Sequence, residues 1–188
     1  MTLFLTTLTI VFALVLLALY FRASRLSFAA QRPEDYAQTE PAFDMRRHLT
    51  GALTSEGVIY GPDGRVAGRF VARMEGKWTG DTGTLTEDFR YASGSTQMRK
   101  WHLTMGIDGS FTATADDVIG AAQGEISGAT LRMTYRLRLE PDAGGHVLDV
   151  IDWLYLMEDG AIMNRSEMRK FGVRVAELVA TMRPEVAD

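Results

Sequence analysis

The chain has no cysteine. That absence excludes disulfides, thiolate catalysis, zinc–cysteine sites, iron–sulfur clusters and lipid attachment through a thiol, so stability must come from packing. Histidine is scarce as well. His48, His102 and His146 stand far apart with no partner four residues away, and the sequence implies no zinc site or other metal. Positive charge is not in excess: the net charge is −4 over 188 residues, and no basic stripe with interleaved aromatics occurs. These features exclude a general nucleic-acid binder. No G-x-S-x-G elbow, Walker loop or G-x-G-x-x-G fingerprint is present, so no cofactor is implied. The five prolines all fall where the pattern reads as linker, turn or element end.

Charge is missing altogether from the first 21 residues, which are almost wholly apolar from residue 3 until Arg22. At about 1.5 Å per helical residue, roughly 20 residues match the ~30 Å hydrocarbon core of a bilayer. A cleaved signal has a basic start, an apolar core of about 7–15 residues and a small-residue cleavage site close behind. Here the start is uncharged, the core is longer, and Ala29-Ala30 lies beyond Arg22 and Arg25. A buried helix of a soluble domain would carry a polar stripe. The run therefore predicts an uncleaved transmembrane anchor over residues 1–22. Arg22, Arg25 and Arg32 follow it, and the positive-inside rule alone places what comes next in the cytoplasm.

Residues 23–42 are polar, with Pro33 and Pro41 as breakers, and read as a linker. Residues 43–188 read as one domain, with a short helical turn over 43–49. From Thr50 the pattern changes to apolar and polar alternation punctuated by turns: Gly61-Pro62-Asp63-Gly64, Gly80-Asp81-Thr82-Gly83, Ser93-Gly94-Ser95, Ile107-Asp108-Gly109, and others to Glu158-Asp159-Gly160. In residues 131–139, Leu131, Met133, Tyr135, Leu137 and Leu139 alternate with Arg132, Thr134, Arg136 and Arg138. Such a strand has one wet face. Residues 147–157 are apolar on both faces and need a cover. Val175, Leu178, Val179 and Met182 fall at helical spacing before Pro184, which predicts a C-terminal amphipathic helix as that cover. The expectation is a mainly β fold of about eight or nine antiparallel strands in up-and-down order. Closure into a barrel removes exposed edges, and a β-sandwich is the architectural alternative.

Two charged residues share the parity of buried faces: Glu87 with Leu85, Phe89 and Tyr91, and Arg99 with Trp101, Leu103 and Met105. Their strands form one hairpin, and a register with both apolar faces inward brings Glu87 opposite or diagonal to Arg99. Either the pair is a structural bridge or Arg99 holds the acidic head of a ligand. Asp152 lies on an apolar face and needs a partner, with Arg165 or Lys170 as candidates, whereas Asp117 reads as a turn residue. An enzyme would require Glu87, Asp117 or Asp152 to meet a second polar group in a cleft. The candidate cavity residues are Glu87, Tyr91, Arg99, Trp101, Tyr135, Asp152 and Trp153.

Phe43-Asp44, Gly51-Ala52-Leu53, Gly76-Lys77-Trp78, Glu87-Asp88-Phe89, the run from Ala115-Asp116-Asp117 to Gly124, Asp152-Trp153-Leu154-Tyr155, and Asn164-Arg165 with Lys170-Phe171-Gly172 together resemble a bacterial family of uncharacterised envelope proteins. The resemblance implies a lipocalin-like barrel, usually exported and often a lipoprotein, associated with lipid or fatty-acid modification and without assigned catalytic residues. This chain lacks the cysteine on which a lipid anchor is built, so its anchoring must be peptide-based. The reading that emerges is a single-pass inner-membrane protein with a periplasmic barrel that binds a lipid-like amphiphile, a cytoplasmic orientation staying open. A scaffold that binds a partner through the barrel surface is the alternative, and an enzyme is the least favoured.

Overall fold

The computed structural model describes residues 2–185. The chain divides into two compact units, one before Pro33 and one from Pro33 onward. The first contains α1 (Thr2–Arg25). Its Phe4–Arg22 stretch of 19 residues is long and apolar enough to cross a membrane, and leucine, valine and phenylalanine side chains lie exposed along it.

The second unit is a closed antiparallel barrel of ten strands. They are β1 (Gly51–Tyr60), β2 (Val66–Thr79), β3 (Thr82–Tyr91), β4 (Thr96–Met105), β5 (Ser110–Thr114), β6 (Ala122–Ser127), β7 (Thr130–Arg138), β8 (Val147–Leu156), β9 (Ile162–Lys170) and β10 (Val173–Pro184). Each strand pairs with its sequence neighbours, and β1 pairs with β10 to close the ring. The alternation seen in the sequence is realised directly. Phe70, Ala72 and Met74 of β2 are buried while Arg69, Arg73 and Glu75 between them are exposed.

The expectation of eight or nine strands is too low, and the C-terminal segment is a strand rather than a helix. Leu178, Ala180 and Met182 join the interior clusters, with Val179 and Thr181 on the other parity. Val175, Leu178, Val179 and Met182 satisfy a helical spacing, but the strand splits them, with Leu178 and Met182 inside beside Ala180 and Val179 on the other face. What decides is context: Val173, Val175, Val179 and Thr181 are β-branched, and β1 needs a partner on its free edge.

Five hairpins, with turns at 61–65, 92–95, 115–121, 139–146 and 171–172, lie at one end of the barrel, here called the mouth. The base, at the other end, is sealed by residues leading into β1. Asp44 caps α2 (Met45–His48) by accepting the Arg46 backbone N–H at 2.9 Å, and Phe43, Met45 and Leu49 enter the apolar core with Leu53, Met74, Leu85 and Trp101. The Trp78 indole N–H donates to the Leu49 carbonyl at 2.9 Å. Gly76 is required beneath it, because a Cβ there would sit 2.0 Å from the Leu49 carbonyl oxygen. Gly76-Lys77-Trp78 is thus the clasp that fastens the base.

Trp153 needs the cover that the sequence demanded, and residues 33–36 supply it. On β8, Leu148, Val150, Leu154 and Leu156 are buried on one parity, whereas Trp153 is on the other, yet it is fully buried. Tyr36, from the single turn Pro33–Tyr36, meets the Trp153 ring edge-on at 5.2 Å. Thr39 continues the contact by accepting the Ala129 backbone N–H through its hydroxyl at 2.9 Å.

Candidate functional site

The interior of the mouth half divides into two sides. Against β1, β2, β3 and β10 lies an aromatic cluster of Phe70, Phe89 and Tyr91 with Ala72, Ile59, Leu178 and Ala180. Phe70 meets Phe89 edge-on at 5.2 Å, and Phe89 stacks on Tyr91 at 6.2 Å. Against β3, β4, β7, β8 and β9 lies a buried ionisable cluster. The two sides meet at Tyr91, whose hydroxyl donates to the Gln97 side-chain oxygen at 2.9 Å.

Arg99 is the centre of the ionisable side. Glu87 stands directly opposite it in the β3–β4 ladder, with the carboxylate oxygen 3.8 Å from the guanidinium. Asp117 binds the same guanidinium by a fork: Nη2 donates at 2.7 Å and Nε at 2.9 Å. The guanidinium lies 5.7 Å from the centre of the Trp101 ring, which in turn meets Tyr135 edge-on at 5.3 Å. Behind them Asp152 accepts hydrogen bonds from Asn164 and, at 2.7 Å, from Ser166.

Charge in this cluster is controlled by burial. Desolvation pushes the Glu87 carboxyl up from 4.5 to about 7; Arg99 opposes the rise, while Asp152 and Asp117 reinforce it. One Glu87 oxygen has no hydrogen-bond partner among the described residues, a state suited to a neutral carboxyl. Burial also raises Asp152, against the pull of its donors Ser166 and Asn164. Tyr91 and Tyr135 are raised by burial as well. Burial works to lower Arg99, but Glu87, Tyr135 and Asp117 outweigh it, so its cation is held.

Asp117 reaches Arg99 because the wall is interrupted beside it. Pairing of β4 with β5 covers only His102–Met105 on the β4 side, so along residues 96–101 the described ladder partner is β3 alone. The 115–121 loop fills the place of the missing strand. It is tied to β7 through the Val118–Leu137 bridge and through the Arg138 N–H bonded to the Asp117 carbonyl at 2.8 Å. The side-chain pair Arg99–Asp117 then crosses a slot where backbone hydrogen bonds would otherwise run. A cleft of about 290 Å³ opens there, lined by Gln97, Arg99, Lys100, Asp117, Arg138 and Glu140 among others. A second, shallow cleft of about 520 Å³ lies at the mouth end of β2 and β3, where Phe70, Tyr91 and Ala92 meet the outward-facing Arg69, Val71 and Arg90.

The model of DUF3833, a family of unknown function, matches residues 23–184. The chain belongs to this family. No curated protein matches the DUF3833 chain by sequence. Solved structures share its fold. An S-type phycobiliprotein lyase from Guillardia theta aligns at TM-score 0.60 and 5% identity, over 84% of this chain and 99% of that one. A DUF3598-family protein of unknown function from Nostoc punctiforme aligns at 0.53 and 11% identity, over 78% of this chain and 51% of that one. A protein from M. tuberculosis aligns at 0.52 and 14% identity, over 79% of this chain and all of that one. At such identities the likeness concerns the fold alone.

Of the seven candidate residues, the DUF3833 barrel brings six to the interior: Glu87, Tyr91, Arg99, Trp101, Tyr135 and Asp152. Arg99 joins Glu87 and Trp101, and Trp101 meets Tyr135, whereas Tyr91 sits with Phe89 and Gln97, and Asp152 with Asn164 and Ser166. Trp153 does not join them, since it faces outward beneath Tyr36. The expected partners of Asp152 are also elsewhere. Arg165, on the parity opposite to Ser166, bonds Glu177 at 2.7 Å, and Lys170, at the far end of β9, lies 3.0 Å from His146. Sequence reasoning passed over Gln97, Asn164 and Ser166. Asn164 and Ser166 share the parity of buried Ile162, and that shared parity was the available signal. Chemically, the arrangement offers a proton near neutrality on Glu87, a fixed cation at the slot and an aromatic surface beside them.

Proposed function

We propose that this DUF3833 protein is a membrane-tethered barrel that binds a lipid-like amphiphile at its mouth. The observation that carries the reading is the division of the mouth: an aromatic cluster meets, at Tyr91, an ionisable cluster that a slot opens to the outside. An amphiphile needs both surfaces close together, and the slot of about 290 Å³ stands at the lower limit of the roughly 300–1,000 Å³ that suits small molecules. In this reading α1 is a permanent single-pass anchor in the inner membrane, and the barrel faces the periplasm. The absence of cysteine leaves the helix to do what a lipid does in similar proteins. The test is titration of the detergent-solubilised full chain with a fluorescent fatty acid. Saturable binding that Phe70→Ser weakens at least about tenfold is expected, a loss of the order of one apolar contact set. Equal binding by Phe70→Ser and by a base variant such as Ile107→Ser would count against the mouth.

One observation favours a second reading, acid–base chemistry on the bound molecule: a buried carboxyl that titrates near 7 beside two other carboxylates. Glu87→Gln separates the two. Retained binding with loss of any conversion of the bound molecule assigns Glu87 a chemical step. Identical products from both proteins remove that reading and leave binding intact.

A further inference from the structure

The mouth carries one residue that folding alone does not explain. β9 and β10 are joined by a two-residue turn, Phe171-Gly172, with Lys170 opposite Val173. Both turn residues have positive φ, 52° at Phe171 and 78° at Gly172, the geometry of a type I′ hairpin. Its first position normally takes asparagine, aspartate or glycine. A phenylalanine there is strained, and this one is 92% exposed. The chain thus meets two costs at one position, an unfavourable backbone and an aromatic ring in water. Neither is recovered within the barrel.

The neighbours share a character. Val173 is 66% exposed, and Val66, at the start of β2 beyond the adjacent β1–β2 turn, is 57% exposed. Six consecutive residues, Arg169-Lys170-Phe171-Gly172-Val173-Arg174, carry three cations and no acid. Two carboxylates stand further down the strands, Glu167 bonded to Arg169 and Glu177 bonded to Arg165 and Arg174. Lys170 extends over the Phe171 ring at 5.7 Å. Aromatic and aliphatic tips ringed by basic side chains are what an anionic membrane surface accepts: the ring enters the headgroup layer while the cations meet lipid phosphates.

We propose that the β9–β10 hairpin is a bilayer-docking element, seating Phe171 and Val173 among the headgroups of an anionic membrane. The proposal rests on the reading of α1 as an anchor, which places a bilayer within reach. A lipid surface takes the exposed ring and valine by insertion and adds long-range attraction to the local excess of cations, with no directed hydrogen bonds required. Docking would turn the two mouth clefts toward the membrane, so that an amphiphile could pass between bilayer and barrel without crossing water.

The lack of native cysteine makes the test direct. Phe171→Cys and, at the base, Ile107→Cys, an 83% exposed control position, are labelled with an environment-sensitive fluorophore in the full chain. Each is reconstituted into phosphatidylcholine vesicles with or without phosphatidylglycerol. The expected result is a blue shift and quenching by nitroxide-bearing lipid for the label at 171 in anionic vesicles, with the label at 107 remaining aqueous. Lys170→Gln with Arg174→Gln should lower the docked-to-free ratio about fivefold per cation. A label at 171 as aqueous as that at 107, in protein that floats with the vesicles, overturns the docking proposal and leaves the anchor standing. Protein that does not float with vesicles overturns both. Shielding of the label at 171 without lipid, together with a dimer in native mass spectrometry, overturns docking in favour of self-association.

Discussion

Glu87 should make the barrel lose stability as pH rises from about 4.5 to about 7, and replacing it with glutamine should abolish most of that loss. Its carboxyl moves from 4.5 to about 7 in the folded protein, so the native state holds a proton that the unfolded chain has released. Below about pH 4.5 both states are protonated and the group contributes nothing to the pH slope. Between 4.5 and 7 the native state binds more protons, and stability falls with each pH unit. Above 7 both states are ionised and the cost is complete. At about 1.4 kcal/mol per pH unit over about 2.5 units, that cost is about 3 kcal/mol. Asp152, also raised by burial, adds in the same direction. The assay is urea unfolding of the full chain in detergent, followed by tryptophan fluorescence at pH 5 and pH 8, for the natural protein and Glu87→Gln. Other titrations are common to both proteins, so the double difference isolates Glu87. The natural protein should lose about 2.5 kcal/mol more than the variant between the two pH values, because part of the cost is already present at pH 5. Equal losses in both would refute the assignment of a near-neutral proton to Glu87.

Three further outcomes are expected from the same unfolding assay. Arg99→Ala leaves Glu87 and Asp117 facing each other without a cation, and should cost about 3–5 kcal/mol at pH 8, with part recovered at pH 5 as Glu87 takes up its proton; a loss below about 1 kcal/mol would mean the cluster is not tightly coupled. Trp153→Ala should cost about 3–5 kcal/mol, and a double-mutant cycle with Tyr36→Ala should show coupling of about 0.5–1.5 kcal/mol; no coupling would detach residues 33–36 from the barrel wall. Phe171→Asn should stabilise the protein by about 1 kcal/mol by relieving the left-handed turn position, and an unchanged or lower stability would contradict the strain on which the docking proposal builds.

Much of the barrel was legible because strand alternation is local. Leu85, Glu87, Phe89 and Tyr91 share one parity whatever else the chain does, and the turn at Ser93-Gly94-Ser95 then brings Glu87 opposite Arg99. The misreadings occur where local pattern is degenerate or the partner is distant. Val175, Leu178, Val179 and Met182 fit a helical period while Leu178, Ala180 and Met182 fit an extended one, and the free edge of β1 decides between them. Trp153 showed that β8 is covered on both faces but not by what, since Tyr36 lies more than a hundred positions upstream and in a segment without periodicity. Asp117 sits in a loop, where no period fixes the direction of a side chain. Its role depends on how early β4–β5 pairing stops, a property of register rather than of composition.

The central claim is that the mouth holds an amphiphile, and the most direct measurement is native mass spectrometry of the full chain extracted from its own membrane under mild detergent, followed by lipid extraction of the retained species. The expected result is a stoichiometric bound amphiphile that remains with the natural protein and is lost from Phe70→Ser. Recovery of bare protein at every detergent strength, with the fluorescent fatty acid also failing to bind, would contradict the account.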